Sequence, residues 1–199
     1  GDIIYKDVNG DGRINNPTTG FFDNEDRTFI GNPNPDFTFG FTNNFAYKNW
    51  YLDVLVIGSQ GNDIYNATGF ELQQMTDFKN QSTKVLDRWR NPGDITNVPK
   101  ANSGTVSVVS DRYVEDGSFI KLKGVTLGYN FNNPLKGINK LNVYVTGQNL
   151  YTWTDYSGFD PEVNSFTGTN GVVGVDYGAY PQVRTFIIGL IKQIQNYET

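Results

Sequence analysis

Residues 36–48, DFTFGFTNNFAYK, alternate along their length. Phe37, Phe39, Phe41, Phe45 and Tyr47 share one parity, and Thr38, Gly40, Thr42, Asn44 and Ala46 the other. Successive side chains of a strand point to opposite faces, so the pattern predicts a strand with an aromatic face and a small, polar face. A tight turn at Lys48-Asn49 leads into 50–58, with Trp50, Leu52, Val54 and Val56 on one face, completing a long hairpin. The same alternation returns at 118–131, where Val125, Leu127, Tyr129 and Phe131 alternate with Thr126, Gly128 and Asn130. Asn132-Asn133-Pro134 and Lys136-Gly137 predict a turn. Residues 141–153 set Leu141, Val143 and Val145 against Asn142, Tyr144, Thr146 and Gln148, and 183–195 form a last strand with Phe186, Ile188 and Leu190 in register.

Between these strands the pattern breaks. Residues 59–117 are rich in Gly, Asn, Ser and Pro. They read as a long loop with one or two short helices, where Phe70, Met75, Phe78, Val85, Leu86 and Trp89 recur at helical spacing until Asn91-Pro92-Gly93. Residues 154–182 read as a second long loop, and 1–35 as a polar leading loop with a short strand at Ile3 to Lys6. The expected organisation is a loop over 1–35 followed by strands and loops over 36–199. Short turns follow residues 48 and 131, and long loops fill 59–117 and 154–182. In an antiparallel meander these two kinds of connection fall at opposite ends, which is the layout of an outer-membrane β-barrel. A soluble β-sandwich also alternates, but its strands usually run about 5–6 residues.

Composition narrows the chemistry. The 199 residues include no His and no Cys, which removes Ser-His-Asp and Cys-His catalysis, Cys/His zinc sites and disulfides. The net charge of -5, without a basic run, gives no footprint for nucleic acid. Aromatic residues make up 15%, as β-structure favours. No run of about 18 apolar residues exists, so no transmembrane helix is expected, whereas a spanning strand needs only about 10 alternating residues. The chain opens at Gly1 without a Met, so it reads as a fragment or a mature piece.

Any metal must be held by oxygen, which points to Ca²⁺ or Mg²⁺. Asp7-x-Asn9-x-Asp11-Gly12 places three side-chain oxygens at alternate positions before a glycine, the spacing of a Ca²⁺ loop. The Arg13 carbonyl and Asn15 would extend the ligand set. Thr18 stands where a closing carboxylate is expected, so Asp26 is the best candidate for it, with Asp23 and Glu25 behind. The competing reading is a set of Asx turns, which Asp-Gly and Asn-Gly pairs also make. Glu115-Asp116 and Asp160-Pro161-Glu162 read as solvated loop acids, and no catalytic residue is assigned. Trp153, Tyr156, Phe159, Tyr177 and Tyr180 flank the second long loop and are candidate ligand-binding aromatics, able to stack on sugars or grip a partner.

Several stretches taken together resemble the C-terminal part of a SusC/RagA-family TonB-dependent outer-membrane transporter: GDIIYKDVNGDGRIN (1–15), EDRTFIGNPNPDFTFGFTNNFAYKN (25–49), GSQGNDIYN (58–66), VLDRW (85–89), SDRYVEDGSFIKLKGVTLGYNF (110–131), VYVTGQNLYTWTDYSGFDPEVN (143–164) and GVDYGAYPQVRTFIIGL (174–190). The resemblance implies the last strands of a 22-stranded transmembrane barrel in the outer membrane of a Gram-negative, Bacteroidota-like cell. It implies as partners the rest of the barrel and its plug, a SusD-like lipoprotein lid and TonB. The cargo would be glycans or oligopeptides, imported without breaking a bond. Two departures stand out. NNPTTGFFDN replaces a short acidic link, and Leu190 is followed by IKQIQNYET, which puts Lys192 on the lipid face by parity. The alternative from a different class is a soluble, Ca²⁺-stabilised β-sandwich module that binds carbohydrate.

Overall fold

The computed structural model describes residues 1–12, 14, 26–101, 108–163, 165 and 172–194. The chain divides into two units. One is a five-stranded sheet with its connections, formed by 34–62, 116–163 and 180–199. The other gathers 1–33, 63–115 and 164–179.

In the first unit β1 (Phe37–Tyr47) and β2 (Trp50–Gln60) form the first hairpin. Strands β3 (Asp63–Asn66) and β4 (Val114–Asp116) intervene before β5 (Phe119–Leu135) and β6 (Ile138–Thr154) form the second. After β7 (Val175–Asp176), β8 (Thr185–Ile194) closes the series. The sheet order is β1-β2-β5-β6-β8, with every pair antiparallel. It is therefore a meander whose long connections leave and return at one end, where Ser59 faces Phe119 and Phe119 faces Thr154. The tight turns lie at the other end. Lys48 there takes a left-handed φ of 54°, and Gly137, at 87°, supplies that geometry without the strain of a Cβ.

Register carries one face across all five strands. Phe45, Leu52, Leu127, Val145 and Ile188 stand in one row across the sheet, with Tyr47, Trp50, Tyr129, Val143 and Leu190 in the next row on that face. This face lies open: Phe41, Phe45, Ile188 and Leu190 are each more than half exposed. A sandwich would bury them against a second sheet, so the arrangement does not favour that alternative. The opposite face bonds to itself. Asn44 donates to Asp53 at 2.6 Å, Tyr51 to Asn142 at 3.2 Å and Asn142 to Asn130 at 3.0 Å, while Thr126 and Thr146 share a bond of 2.8 Å. On this face Tyr51 lies over Gly128 and Tyr144 over Gly189, where a Cβ would strike either ring.

Two bulges along β5 separate the observed strand from a plain count of parity. The expected turn at Asn132-Asn133-Pro134 is instead a register shift within β5, with Asn133 at φ 48°. Proline has no N–H for the ladder and is accommodated there, so the strand runs on to Leu135. Lys123 bulges out between Leu122 and Gly124 on β5, opposite Asn149, whose φ is 51°.

The second unit has a core of its own. Strand β3 lies between β4 and β7, and its pairing with β7 is parallel. Helix α1 (Ala67–Gln73) starts where Asn66 Oδ1 accepts the Gly69 N–H at 2.6 Å. Ile64, Ala67, Met75, Val85 and Tyr113 are buried, and Phe70 packs edge-on against Tyr113 with centroids 5.5 Å apart. The short helices expected here are present, α1 and a 3-10 turn at Thr83–Asp87 that buries Val85. The helix ends at Gln73, and Phe78 and Leu86 are exposed. No strand forms among the described residues at 3–6.

Candidate functional site

The most strongly built polar cluster sits at the long-loop end of the sheet. Lys121 faces Thr152 on the polar side of β5 and is only 1% exposed. Its Nζ lies 2.9 and 3.1 Å from the two Asp160 carboxylate oxygens and 2.5 Å from Glu162 Oε2. The bulge aims Lys123 at the same group: its Nζ is 3.1 Å from Glu162 Oε2 and 2.9 Å from Gln182 Oε1. The backbone N–H groups of Glu162 and Gln182 complete the shell of Asp160 at 3.0 and 3.3 Å. Burial pushes the Asp160 carboxyl up. The Lys121 ammonium and the two N–H donors outweigh that and hold it below the usual carboxylate range.

Two ammonium groups thus face two carboxylates. An Asp so held stays ionised and is a poor proton donor, so this cluster fastens a loop and is not suited to acid–base chemistry. Residues 160–162 are therefore not the solvated acids that their loop position suggested. The sequence signal was a pair of lysines, at 121 and 123, entering an alternating strand. Counting in twos from Phe131 puts both on the apolar face, and only the bulge moves Lys121 to the polar one. Beside the cluster, a cleft of about 270 Å³ is lined by Asn149, Thr152, Phe159, Gln182 and Arg184.

The candidate aromatics do not converge. Phe159 is 75% exposed and lines that cleft, and Tyr180 is exposed. Trp153 joins the outward face, its ring 4.7 Å from that of Tyr151, and Tyr156 is buried over Gly158. Tyr177 belongs to the other unit, where its N–H donates to Ser165 Oγ at 2.7 Å.

The Asp-x-Asn-x-Asp-Gly segment forms a turn bonded to its own backbone. Asp7 accepts the Gly10 and Gly12 N–H groups at 2.6 and 2.8 Å, and Asn9 accepts the Asp11 N–H at 3.0 Å. Asp26 reaches this turn and accepts the Val8 N–H at 3.0 Å. Arg13 and Asn15 lie outside the described residues, as do Thr18, Asp23 and Glu25. Among the described residues no group of three or more acids is gathered closely enough to hold an ion. Of the remaining acids, Glu115 accepts from Asn66 Nδ2 at 2.9 Å and Asp116 from the Ser118 N–H at 2.8 Å.

Comparison with known proteins agrees with this architecture. No family model matches the chain. The TonB-dependent receptor P3 of Formosa agariphila is 37% identical over 197 residues, which is 96% of this chain and 19% of that protein. Its TonB-dependent receptor P26 is 36% identical over 203 residues, again 96% of the chain and 19% of the relative. The TonB-dependent receptor SusC of Bacteroides thetaiotaomicron is 28% identical, over 96% of this chain and 17% of its own. Among solved structures, the RagAB peptide importer in its closed-closed state aligns with a TM-score of 0.72 at 23% identity, over 90% of this chain and 20% of that one. The chain spans about one-fifth of the length of the curated relatives it matches. Over nearly all of its own length it is homologous to TonB-dependent receptors of the SusC kind, and its sheet is a fragment of their larger barrel.

Proposed function

We propose that this chain, homologous to one stretch of the TonB-dependent receptors, is the C-terminal wall segment and loop set of an outer-membrane importer. The observation that supports this most is the segregation of faces. Five paired strands keep apolar side chains outward and hydrogen-bonded polar ones inward, with every tight turn at one end and the long connections at the other. A bilayer asks for that inversion of the usual soluble pattern. In this reading the strands line a passage, and the connections at 61–118 and 155–184 face the cell exterior. There they would meet glycans or oligopeptides held under a SusD-like lipoprotein. TonB, acting on a plug elsewhere in the polypeptide, would supply the energy, and no bond in the cargo would be broken. The salt bridges of Lys121 would keep the second long connection against the wall while cargo moves past. The homologues are transporters and receptors, in keeping with a role without catalysis.

The turn at Asp7 is proposed as a Ca²⁺ site that closes when Asp11 and Asp26 swing toward Asp7, bracing the leading loop. Titrating Ca²⁺ into chelator-treated protein should protect the 1–35 segment from proteolysis. Unchanged cleavage in Asp7→Asn and in the parent alike would remove the ion from the reading.

These 199 residues contain no Cys, so a single introduced thiol reports on this segment once labelling of the parent polypeptide is subtracted. Tyr180→Cys, in the full polypeptide, should react with a membrane-impermeant maleimide on intact cells. Lys136→Cys should react only after the outer membrane is permeabilised. Equal labelling of both on intact cells would overturn the proposal.

A further inference from the structure

Among the described residues, the tight-turn end of the sheet is positively charged. It carries Lys48, Lys136, Lys140 and Lys192, while residues 46–52, 128–145 and 186–194, which build it, contain no Asp or Glu. Lys192 differs from its neighbours in direction. It pairs with Leu141, and Leu141 with Phe131, so its side chain belongs to the outward, apolar face. Among the described residues it has no salt-bridge partner. One row further into the sheet, a groove of about 560 Å³ opens on the same face. Trp50, Tyr129 and Phe131 form its ridge, locked edge to face at centroid distances of 4.8 and 4.6 Å. The shorter side chains of Val143 and Val145 form its floor. The groove arises from this difference in height between the ridge and the two valines.

An apolar trough beside interfacial aromatics, with an ammonium one row beyond it that has no salt-bridge partner among the described residues, is complementary to one kind of molecule. It needs an acyl chain to fill the trough and an anionic headgroup to meet the lysine. We propose that an anionic membrane phospholipid docks here, with one acyl chain along Val143 and Val145 and its phosphate on Lys192 Nζ. A free phosphate would leave the trough open, and a neutral lipid would leave Lys192 unpaired on an apolar face. The charge asymmetry selects the leaflet that touches the tight turns. This inference rests on the membrane-wall reading above.

The test uses the full polypeptide in phosphatidylcholine vesicles doped with a diazirine-labelled phosphatidylglycerol or, separately, a diazirine-labelled phosphatidylcholine. After irradiation, adducts are mapped by peptide mass spectrometry. Phosphatidylglycerol adducts should concentrate on the peptides that carry 127–131 and 141–145, about fivefold above phosphatidylcholine, the factor expected for one lysine at an anionic surface. Lys192→Gln should abolish that preference, and Val143→Trp, which fills the trough, should reduce adducts there from both lipids. Equal labelling by the two lipids, unchanged in Lys192→Gln, would overturn the docking while leaving the wall reading intact. An absence of adducts on every strand would overturn both.

Discussion

The sheet and the inserted unit use the same residue types under opposite rules. In the insert, Ile64, Met75, Val85 and Tyr113 are shielded, as in any domain that folds in water. In the sheet, Phe45, Trp50, Leu127, Ile188 and Leu190 are exposed, while Lys121 and Asp160 are buried. Exposure of so many large apolar groups on one continuous face indicates a solvent other than water or a covering partner. The difference teaches that one chain carries two opposite rules of burial, and the membrane-wall proposal would explain why.

Four experiments would break or sharpen the contrast. The largest effect should come from Lys121→Met, which leaves the buried Asp160 without its charged partner and Glu162 with Lys123 alone. Breaking a buried pair in this way costs about 3–5 kcal/mol. Denaturant unfolding of the vesicle-inserted protein should show the loss, and Lys121→Met with Asp160→Leu should recover much of it. Next is Val125→Arg on the outward face, expected to cost about 2–4 kcal/mol in a bilayer but little in water. A small, equal cost in both media would show that the face does not meet lipid.

In the insert, Asn66→Ala removes the cap of α1 and the bond to Glu115, for a loss of about 1 kcal/mol. Limited proteolysis should register it within 63–115 while the strands stay protected. The smallest effects are those of pH, and they run in opposite directions. The depressed Asp160 stabilises the sheet above its unfolded value of about 4, and that contribution is lost as pH falls toward its folded value. In the insert, burial first, then Tyr113 and Glu71, push Tyr65 up to about 12. Its contribution is present below about pH 10 and is lost as pH rises through that folded value. Acid should therefore loosen the sheet unit before the insert and alkali the reverse, as hydrogen exchange resolved by segment would show.

The five long strands were legible because a period of two survives across many residues. Phe37 to Tyr47 shows it without any knowledge of partners. The bulges were not, since a single extra residue at Lys123 reverses every parity beyond it and leaves no mark in composition. That reversal concealed the burial of Lys121, and with it the fate of Asp160 and Glu162, whose Pro161 setting reads as an ordinary loop. The aromatics near the second long connection carried the right residue type for binding. Whether a ring is offered or buried depends on neighbours such as Gly158, which accommodates Tyr156. In the insert the helical spacing announced short helices but not which of its apolar residues face a core, and Phe78 and Leu86 are exposed.

The rings of Tyr51 and Tyr144, lying over Gly128 and Gly189, sit in one row across the polar face, since Tyr51 pairs with Gly128, Gly128 with Tyr144 and Tyr144 with Gly189. In a closed wall such a row sets the bore. A ring that reclines on a hydrogen atom takes little from the radius, whereas one propped up by a methyl group narrows it by most of its own width. If the sheet walls a conduit, as proposed, these two glycines would act as its gauge. A lineage could raise or lower these rings at two positions while leaving the apolar face, and the strand register, untouched.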